Sequence, residues 1–184
     1  MATGYGYVVL QKTASAAETI EGKETFEAQA RNAGIQIQGY HADNGTFREN
    51  QWRNHCHKKG QTLTFASVHA HFENGVAERR IRLLQDLART MLTEAISKWP
   101  QANSPTLWPY AIRFAQHNLN NTPSMTIDRR TAPYEAFAGV RTRRHTNSAV
   151  PFGCPAYATK EEVANGKPFH KWAPRSTLGI YLGI

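Results

Sequence analysis

The first 66 residues switch repeatedly between a strand-like and a helix-like hydrophobic period, and this alternation constrains the fold more than any other feature of the chain. "YGYVVLQ" (5–11) is aromatic and β-branched and predicts a strand. "SAAETIEGKETFEAQARNAG" (15–34) predicts an amphipathic helix. Ser15 can cap its start with Glu18 completing a capping box, Ile20, Phe26 and Ala30 share a face, and Gly34 stands at the C-terminal stop. "IQIQGYHA" (35–42) alternates apolar and polar residues, a strand that ends at Asp43. "FRENQWRNHCHKK" (47–59) predicts a second helix closed by Gly60, and "TLTFA" (62–66) a short strand. A strand–helix–strand–helix–strand order predicts an α/β layered domain. In open α/β sheets functional groups collect at the carboxyl ends of strands, and Asp43 stands at such an end.

The second half reads differently. Leu84, Leu87, Ala88, Met91, Leu92 and Ala95 recur at helical spacing, so a long helix is predicted from Gly75 to Trp99, where Pro100 forbids its continuation. "SPTLWPYAIRFAQHNLNNTP" (104–123) predicts a further helix, with Ser104 as cap, Pro105 at the first position, and Trp108, Tyr110 and Phe114 as core residues. "APYEAFAG" (132–139) is a short helical turn closed by Gly139. Basic, turn-rich "VRTRRHTNSA" (140–149) reads as a linker, and "VPFGCPAYAT" and "STLGIYLGI" as two strands of a small β-module.

Composition narrows the function classes. No run of 18 apolar residues exists, so no membrane span is expected, and "MATGYGYVVL" lacks the features of a signal peptide. Two cysteines, Cys56 and Cys154, do not make a disulfide scaffold and read as reduced and intracellular. "HCHKK" around Cys56 fits no common zinc spacing and reads as a helical cysteine between exposed histidines. Charge is uneven: residues 1–78 carry 7 Lys/Arg against 8 Asp/Glu, a balance of −1, and residues 79–184 carry 15 against 6, a balance of +9. A basic half points to a polyanion such as nucleic acid.

Two acids stand out from this background. Asp43 precedes Asn44-Gly45, where it either shapes a turn or presents a carboxylate to a metal ion. Glu78 lies 35 residues later in the first turns of the long helix. Glu78, Arg82, Gln85 and Arg89 follow i, i+4, i+7, i+11 spacing and form one polar stripe opposite the Leu/Met face, with Arg79 and Arg80 adding charge beside it. Such a stripe either holds a metal at one end and phosphates further along, or is a solvated face with an i,i+4 Glu–Arg pair.

Taken in order, "YHADNGTF", "FENGVAERRIRLLQDLARTML", "LWPYAIRFAQHNLNNTP", "APYEAFAGV" and "FGCPAY" resemble the integrase region of Ty1/copia-type retrotransposon polyproteins over about residues 5–184. The resemblance implies an α/β, ribonuclease-H-like catalytic core over 1–139, with a mixed sheet whose first two strands are missing. A basic linker over 140–149 and part of an SH3-like β-module over 150–184 follow. It implies DNA integration by 3′-end processing and strand transfer, with element ends and target DNA as partners. A homo-oligomer or the remainder of a polyprotein is a further partner, no membrane is involved, and the integrating form acts in the nucleus.

The resemblance also assigns residues. Asp43 matches the second and Glu78 the third acid of the family's Asp, Asp, Glu triad, which binds Mg²⁺ or Mn²⁺. Asn44 and Gly45, and Asn74 and Gly75, match the family's Asn-Gly pairs. Arg82 and Gln85 occupy positions that approach DNA ends in related integrases, and Arg79 and Arg89 extend that basic face. Two-metal phosphoryl transfer needs carboxylates because Mg²⁺ prefers hard oxygen ligands. The family's first Asp has no counterpart: the only aspartates are Asp43, Asp86 and Asp128. With two of three acids, strand transfer by this chain alone is not expected. The isolated chain is expected to be marginally stable or to complete its sheet with another chain. A non-catalytic nucleic-acid-binding remnant and an incomplete gene model of a longer Gag-Pol polyprotein stand as alternative readings.

Overall fold

The computed structural model describes residues 3–43, 45–66, 74–123, 130–141, 150–168 and 170–183. The elements are α1 (Ala16–Asn32), β1 (Gly39–Ala42), a 3₁₀ turn (Thr46–Arg48), α2 (Asn50–Lys58), β2 (Thr62–Phe65), α3 (Gly75–Lys98), a 3₁₀ turn (Pro105–Leu107), α4 (Trp108–Asn121), α5 (Pro133–Ala138), β3 (Pro155–Thr159), α6 (Glu161–Ala164) and β4 (Ser176–Ile180). Two compact units form, one from Met1–Leu83 with Asn118–Thr142 and one from Leu84–His117 with Arg143–Ile184. No helix among the described residues is long and apolar enough to cross a membrane.

In the first unit β1 and β2 pair in parallel, with Gly39 opposite Thr62 and Ala42 opposite Phe65. Both preceding helices end by the same device. After α1, Gly34 takes φ +73°, its N–H donates to Arg31 O at 2.9 Å, and Ile35 N donates to Ala30 O at 2.8 Å. After α2, Gly60 takes φ +65°, its N–H donates to His57 O at 2.9 Å, and Gln61 N donates to Cys56 O at 3.0 Å. These are Schellman stops, in which a left-handed residue closes two orphan carbonyls and turns the chain. Each therefore feeds a helix directly into the strand segment that follows.

The N-terminal end of α1 departs from the capping box. Ser15 Oγ accepts from Glu18 N at 3.3 Å as expected, but the Glu18 carboxylate reaches further back, to Lys12 N at 2.7 Å and Thr13 Oγ1 at 2.8 Å. With a third bond from Thr13 N at 3.2 Å, three hydrogen bonds to the entering loop replace the single one a capping box would make.

Residues 5–11 are not a strand. Their β-prone side chains dock instead: Tyr5 stacks on Phe137 of α5 at 4.1 Å between ring centroids, and Tyr7 lies 5.4 Å from Phe26 of α1. A strand is defined by its ladder, and no neighbouring strand among the described residues makes one. The side chain of Asn120 substitutes at a single residue, accepting from Gly6 N at 3.0 Å and donating to Gly6 O at 2.8 Å. The core sheet among the described residues is therefore the parallel pair alone, rather than a mixed sheet. β1 is also shorter than the 35–42 alternation predicts, because the backbone at 35 closes the helix stop and Ile37 O accepts from the Gln61 side chain at 3.2 Å. The helix expected over 47–59 divides into the 3₁₀ turn and α2.

In the second unit Leu84, Ala88, Leu92 and Ala95 of α3 are buried, as are Ala111, Phe114 and Ala115 of α4 and Phe152. β3 and β4 pair antiparallel, with Pro155 opposite Ile180 and Thr159 opposite Ser176. The "FGC" stretch ties this ribbon down. Phe152 lies 5.8 Å from the Phe114 ring, and Gly153 N donates to Tyr181 O at 2.7 Å. The buried Asn103 amide donates to Trp99 O and Gly153 O, both at 3.1 Å. Gly153 has φ +74°, and a Cβ there would sit 2.6 Å from Ala95 Cβ, so a side chain is excluded twice over. Ser104 makes no capping hydrogen bond, and Trp108 and Tyr110 are exposed at 53% and 47% where core positions were expected; of the three aromatics only Phe114 is buried. The linker reading falls largely on residues 142–149, outside the described residues.

Candidate active site

Asp43 directly follows Ala42, the last residue of β1, and its side chain is exposed. Its Oδ1 accepts from Gly45 N at 3.2 Å, so Asp43 does shape a turn. That bond uses one lone pair and leaves the rest of the carboxylate to solvent or a ligand. The loop it begins is pinned from below by aromatic rings: Phe47 packs edge-on to Trp52 at 5.1 Å, and Trp52 packs edge-on to Tyr40 of β1 at 5.6 Å. Asn44 lies outside the described residues, as do His69 and His71 ahead of α3. His41 is committed to the sheet, its Nδ1 hydrogen-bonded at 2.9 Å to Oγ1 of Thr64, its cross-strand partner.

Glu78 is exposed in the first turn of α3, which begins at Gly75 just after Asn74. An acid there is favoured by the helix dipole. Arg79 and Arg82 are exposed in the same unit, and Gln85 and Arg89 are exposed on the α3 segment that belongs to the second unit. The Glu78–Arg82 ion pair of the solvated-face alternative does not form; Arg89 pairs instead with Asp86, outside the stripe, at 3.2 Å, i to i+3, and both partners are largely in water. Such pairs contribute little.

Arg80 behaves differently from its neighbours. It is half-buried, its Nη2 donates to Asn120 Oδ1 at 3.4 Å, its Nε has no partner, and burial pulls its pKa below the usual value. It therefore belongs to the Asn120–Gly6 contact rather than to the solvent-facing basic surface.

Sequence reasoning missed a second acidic centre beneath β1. Glu27 of α1 is 4% exposed and its carboxylate is surrounded by donors. Oε1 accepts from Lys23 at 2.6 Å, Gln61 at 2.7 Å and Tyr40 at 2.8 Å, and Oε2 from Lys59 at 2.9 Å. Burial opposes its ionisation, but the bonds from Lys23, Gln61, Lys59 and Tyr40 outweigh it and hold the carboxyl far below its ordinary range. Burial and the bond to that carboxylate push the Tyr40 phenol far above its own. Lys23, 5% exposed, also lies 5.1 Å from the Tyr40 ring centre. The i,i+4 spacing of Lys23 and Glu27 was visible, but it is common on exposed helices and says nothing about burial.

Beside this centre Cys56 is fully buried, and burial raises its thiol pKa. His55 is not exposed as expected: its side chain is 20% accessible and burial lowers its pKa. No group of three or more His, Cys, Asp or Glu side chains able to hold a metal occurs among the described residues.

As donors, Asp43 and Glu78 are hard, exposed oxygen ligands. Mg²⁺ accepts one or two carboxylates while keeping several waters and bonding to substrate phosphates. By donor chemistry each acid on its own suits Mg²⁺, and neither stands in a group of three or more metal-ligating side chains among the described residues.

No family model matches the chain. Its structure is similar to that of the HTLV-2 integrase catalytic core domain in complex with magnesium. For the trimeric form the TM-score is 0.52 at 17% identity, covering 73% of this chain and 78% of that one. For the dimeric form it is 0.51 at 18%, covering 73% and 77%. The chain is also similar to a chain of the simian T-cell lymphotropic virus intasome in complex with PP2A regulatory subunit B56 gamma, with a TM-score of 0.56 at 15% identity over 97% of this chain and 58% of that one. The fold is thus that of retroviral integrase catalytic cores.

Proposed function

We propose that the chain is a DNA-integration protein of the Ty1/copia retrotransposon type. In this reading residues 1–139 form the core, 140–149 a basic linker and 150–184 part of an SH3-like module. The observation that carries it is the integrase-core fold in a chain with one acid directly after a strand of the parallel pair and another in the first turn of the long helix. The antiparallel β3–β4 pair supports the module reading. The uneven charge supports DNA as partner, and the integrating form would act in the nucleus.

In this mechanism Asp43 and Glu78 would hold Mg²⁺ or Mn²⁺ through their carboxylate oxygens. The bound ion would polarise a phosphodiester and stabilise charge on the attacking and leaving oxygens. Arg79 and Arg82 neutralise phosphates near Glu78, releasing counterions and making affinity salt-dependent. Gln85 and Arg89 contact DNA from their part of α3. Gly45 closes the turn that Asp43 begins, and Asn74-Gly75 open the helix that carries Glu78. The chain holds two of the three acids that such chemistry uses, so it binds DNA and completes catalysis only with a third acid from elsewhere.

The test is a nicking assay on plasmid DNA with Mn²⁺, run beside filter binding over a salt series. Salt-dependent binding is expected in all cases. Metal-dependent nicking that disappears in Asp43→Asn and in Glu78→Gln establishes an active enzyme. Binding without nicking assigns a non-catalytic nucleic-acid-binding role, and failure to bind DNA at low salt refutes the proposal.

A further inference from the structure

α2 meets α1 through a small set of charges, and one group beside them titrates near neutral pH. Lys23 and Glu27 of α1 bond at 2.6 Å, and Lys59, at the end of α2, bonds to the other Glu27 oxygen at 2.9 Å. Lys59 also lies 3.4 Å from Oε1 of Glu24, so two cations stand against two acids. His55 of α2 approaches the same Glu24 oxygen at 3.6 Å, too far for a hydrogen bond. Its Nε2 is buried and has no hydrogen-bond partner among the described residues. A neutral His55 ring leaves the charges balanced. A proton makes both ring nitrogens donors and sets a third cation beside Lys23 and Lys59. Burial and these two ammoniums oppose that charge more than Glu24 and Glu27 favour it. Cys56 and Tyr40, the remaining titratable groups of this cluster, have raised pKa values and supply no counter-charge.

The same helix supports the turn of Asp43. Trp52 lies one turn before His55, is buried, and packs edge-on to Phe47 at 5.1 Å. Phe47 belongs to the 3₁₀ turn in which Arg48 N donates to Gly45 O at 3.0 Å, and Gly45 N donates to Asp43 Oδ1 at 3.2 Å. Trp52 also packs on Tyr40, whose hydroxyl donates to Glu27 at 2.8 Å. The charge cluster and the Asp43 turn therefore meet at one indole ring, and a shift of α2 is felt by both.

We propose that protonation of His55, between about pH 7 and pH 5, loosens α2 from α1 and, through Trp52 and Phe47, the turn that holds Asp43. The loosened form lets the imidazolium reach water or a repositioned Glu24, so it binds the proton more readily than the packed form. Each unit of pH then shifts the balance between the two forms by up to about tenfold, the limit for one proton. This window lies above the range in which Glu27 titrates, so the two acid effects separate. The device stands on the α1–α2 contact and the turn; only its consequence for a ligand at Asp43 rests on the proposed function.

A pH titration of the unsubstituted 184-residue chain followed by NMR tests it. The His55 ring should titrate below the ordinary histidine value of about 6.5, and the Gly45 amide and Trp52 indole should move with the same midpoint. In His55→Gln those two signals should stay still over this range while the rings of His41 and His57 still titrate. Urea unfolding gives a second readout: between pH 7 and pH 5 the unfolding constant of the unsubstituted chain should rise several-fold more than that of His55→Gln. A His55 midpoint at or above the ordinary value, a Gly45 amide that does not follow it, movement that persists in His55→Gln, or equal pH slopes of the two chains would each overturn the proposal. Loss of metal binding at Asp43 would overturn the proposed function instead and leave these titrations unchanged.

Discussion

Glu27 and the pair Asp43/Glu78 put the same functional group to opposite uses within one compact unit. Glu27 is buried and its two oxygens receive four donors, from α1, β1, the end of α2 and the turn into β2. Asp43 and Glu78 are exposed, and Asp43 makes a single short-range backbone bond. A carboxylate whose lone pairs are filled by fixed donors is a structural bolt, with nothing left for a ligand. One that leaves them open at a strand end or in a helix's first turn adds little to the fold and remains available. The carboxyl of Glu27, held far below its ordinary range by its four donors, marks a structural contact and has no lone pairs left for a ligand.

That contrast can be broken experimentally, and the largest effect should come from Glu27→Gln. Removing the negative charge leaves Lys23 buried without a counterion, at a cost of about 3–5 kcal/mol, read from urea unfolding. A loss below about 1 kcal/mol would place Glu27 among ordinary surface acids.

Acid should act on the same residue. The folded pKa of Glu27 is depressed, so its contribution is complete above its unfolded value near 4.5 and is lost as pH falls below that toward the folded value. Unfolding midpoints measured from pH 7 to pH 3, a range set roughly by reference carboxylate values, should fall at the acid end and fall less in Glu27→Gln.

Tyr40→Phe removes one of four donors and keeps the ring against Trp52, so it should cost only about 0.5–1.5 kcal/mol in the same unfolding measurement. The smallest effects on stability belong to Asp43→Asn and Glu78→Gln. Neither should shift the unfolding midpoint measurably, yet both should abolish Mn²⁺ binding followed by electron paramagnetic resonance. Destabilisation by either would move that residue to Glu27's side of the comparison.

The parts of the fold that were legible in sequence are those decided locally. Gly34 and Gly60 announce helix stops because few other residues take positive φ, and Pro100 closes the long helix because it has no N–H to continue it. The placement of Asp43 at a strand end and Glu78 in a first turn follows from those boundaries. Whatever depends on distant partners was hidden. Residues 5–11 have a strand's composition, but a strand exists only where a neighbour supplies the ladder. The donors of Glu27 lie at positions 23, 40, 59 and 61, which no single periodicity connects. Trp108 and Tyr110 look like core by residue type, and only the packed helix reveals which of its faces is covered.

The Asn120–Gly6 contact has a consequence for how the chain is made. Its partners are 114 residues apart, and a ribosome adding roughly 5–20 residues per second needs on the order of ten seconds to get from one to the other. For that interval the nascent segment over residues 5–11 has neither its tether nor α5 beneath it, and its tyrosines, valines and leucine face solvent. Chaperone demand should thus be set by the timing of synthesis as well as by the final stability, and slow codons between positions 6 and 120 should lower the soluble yield of an unchanged protein.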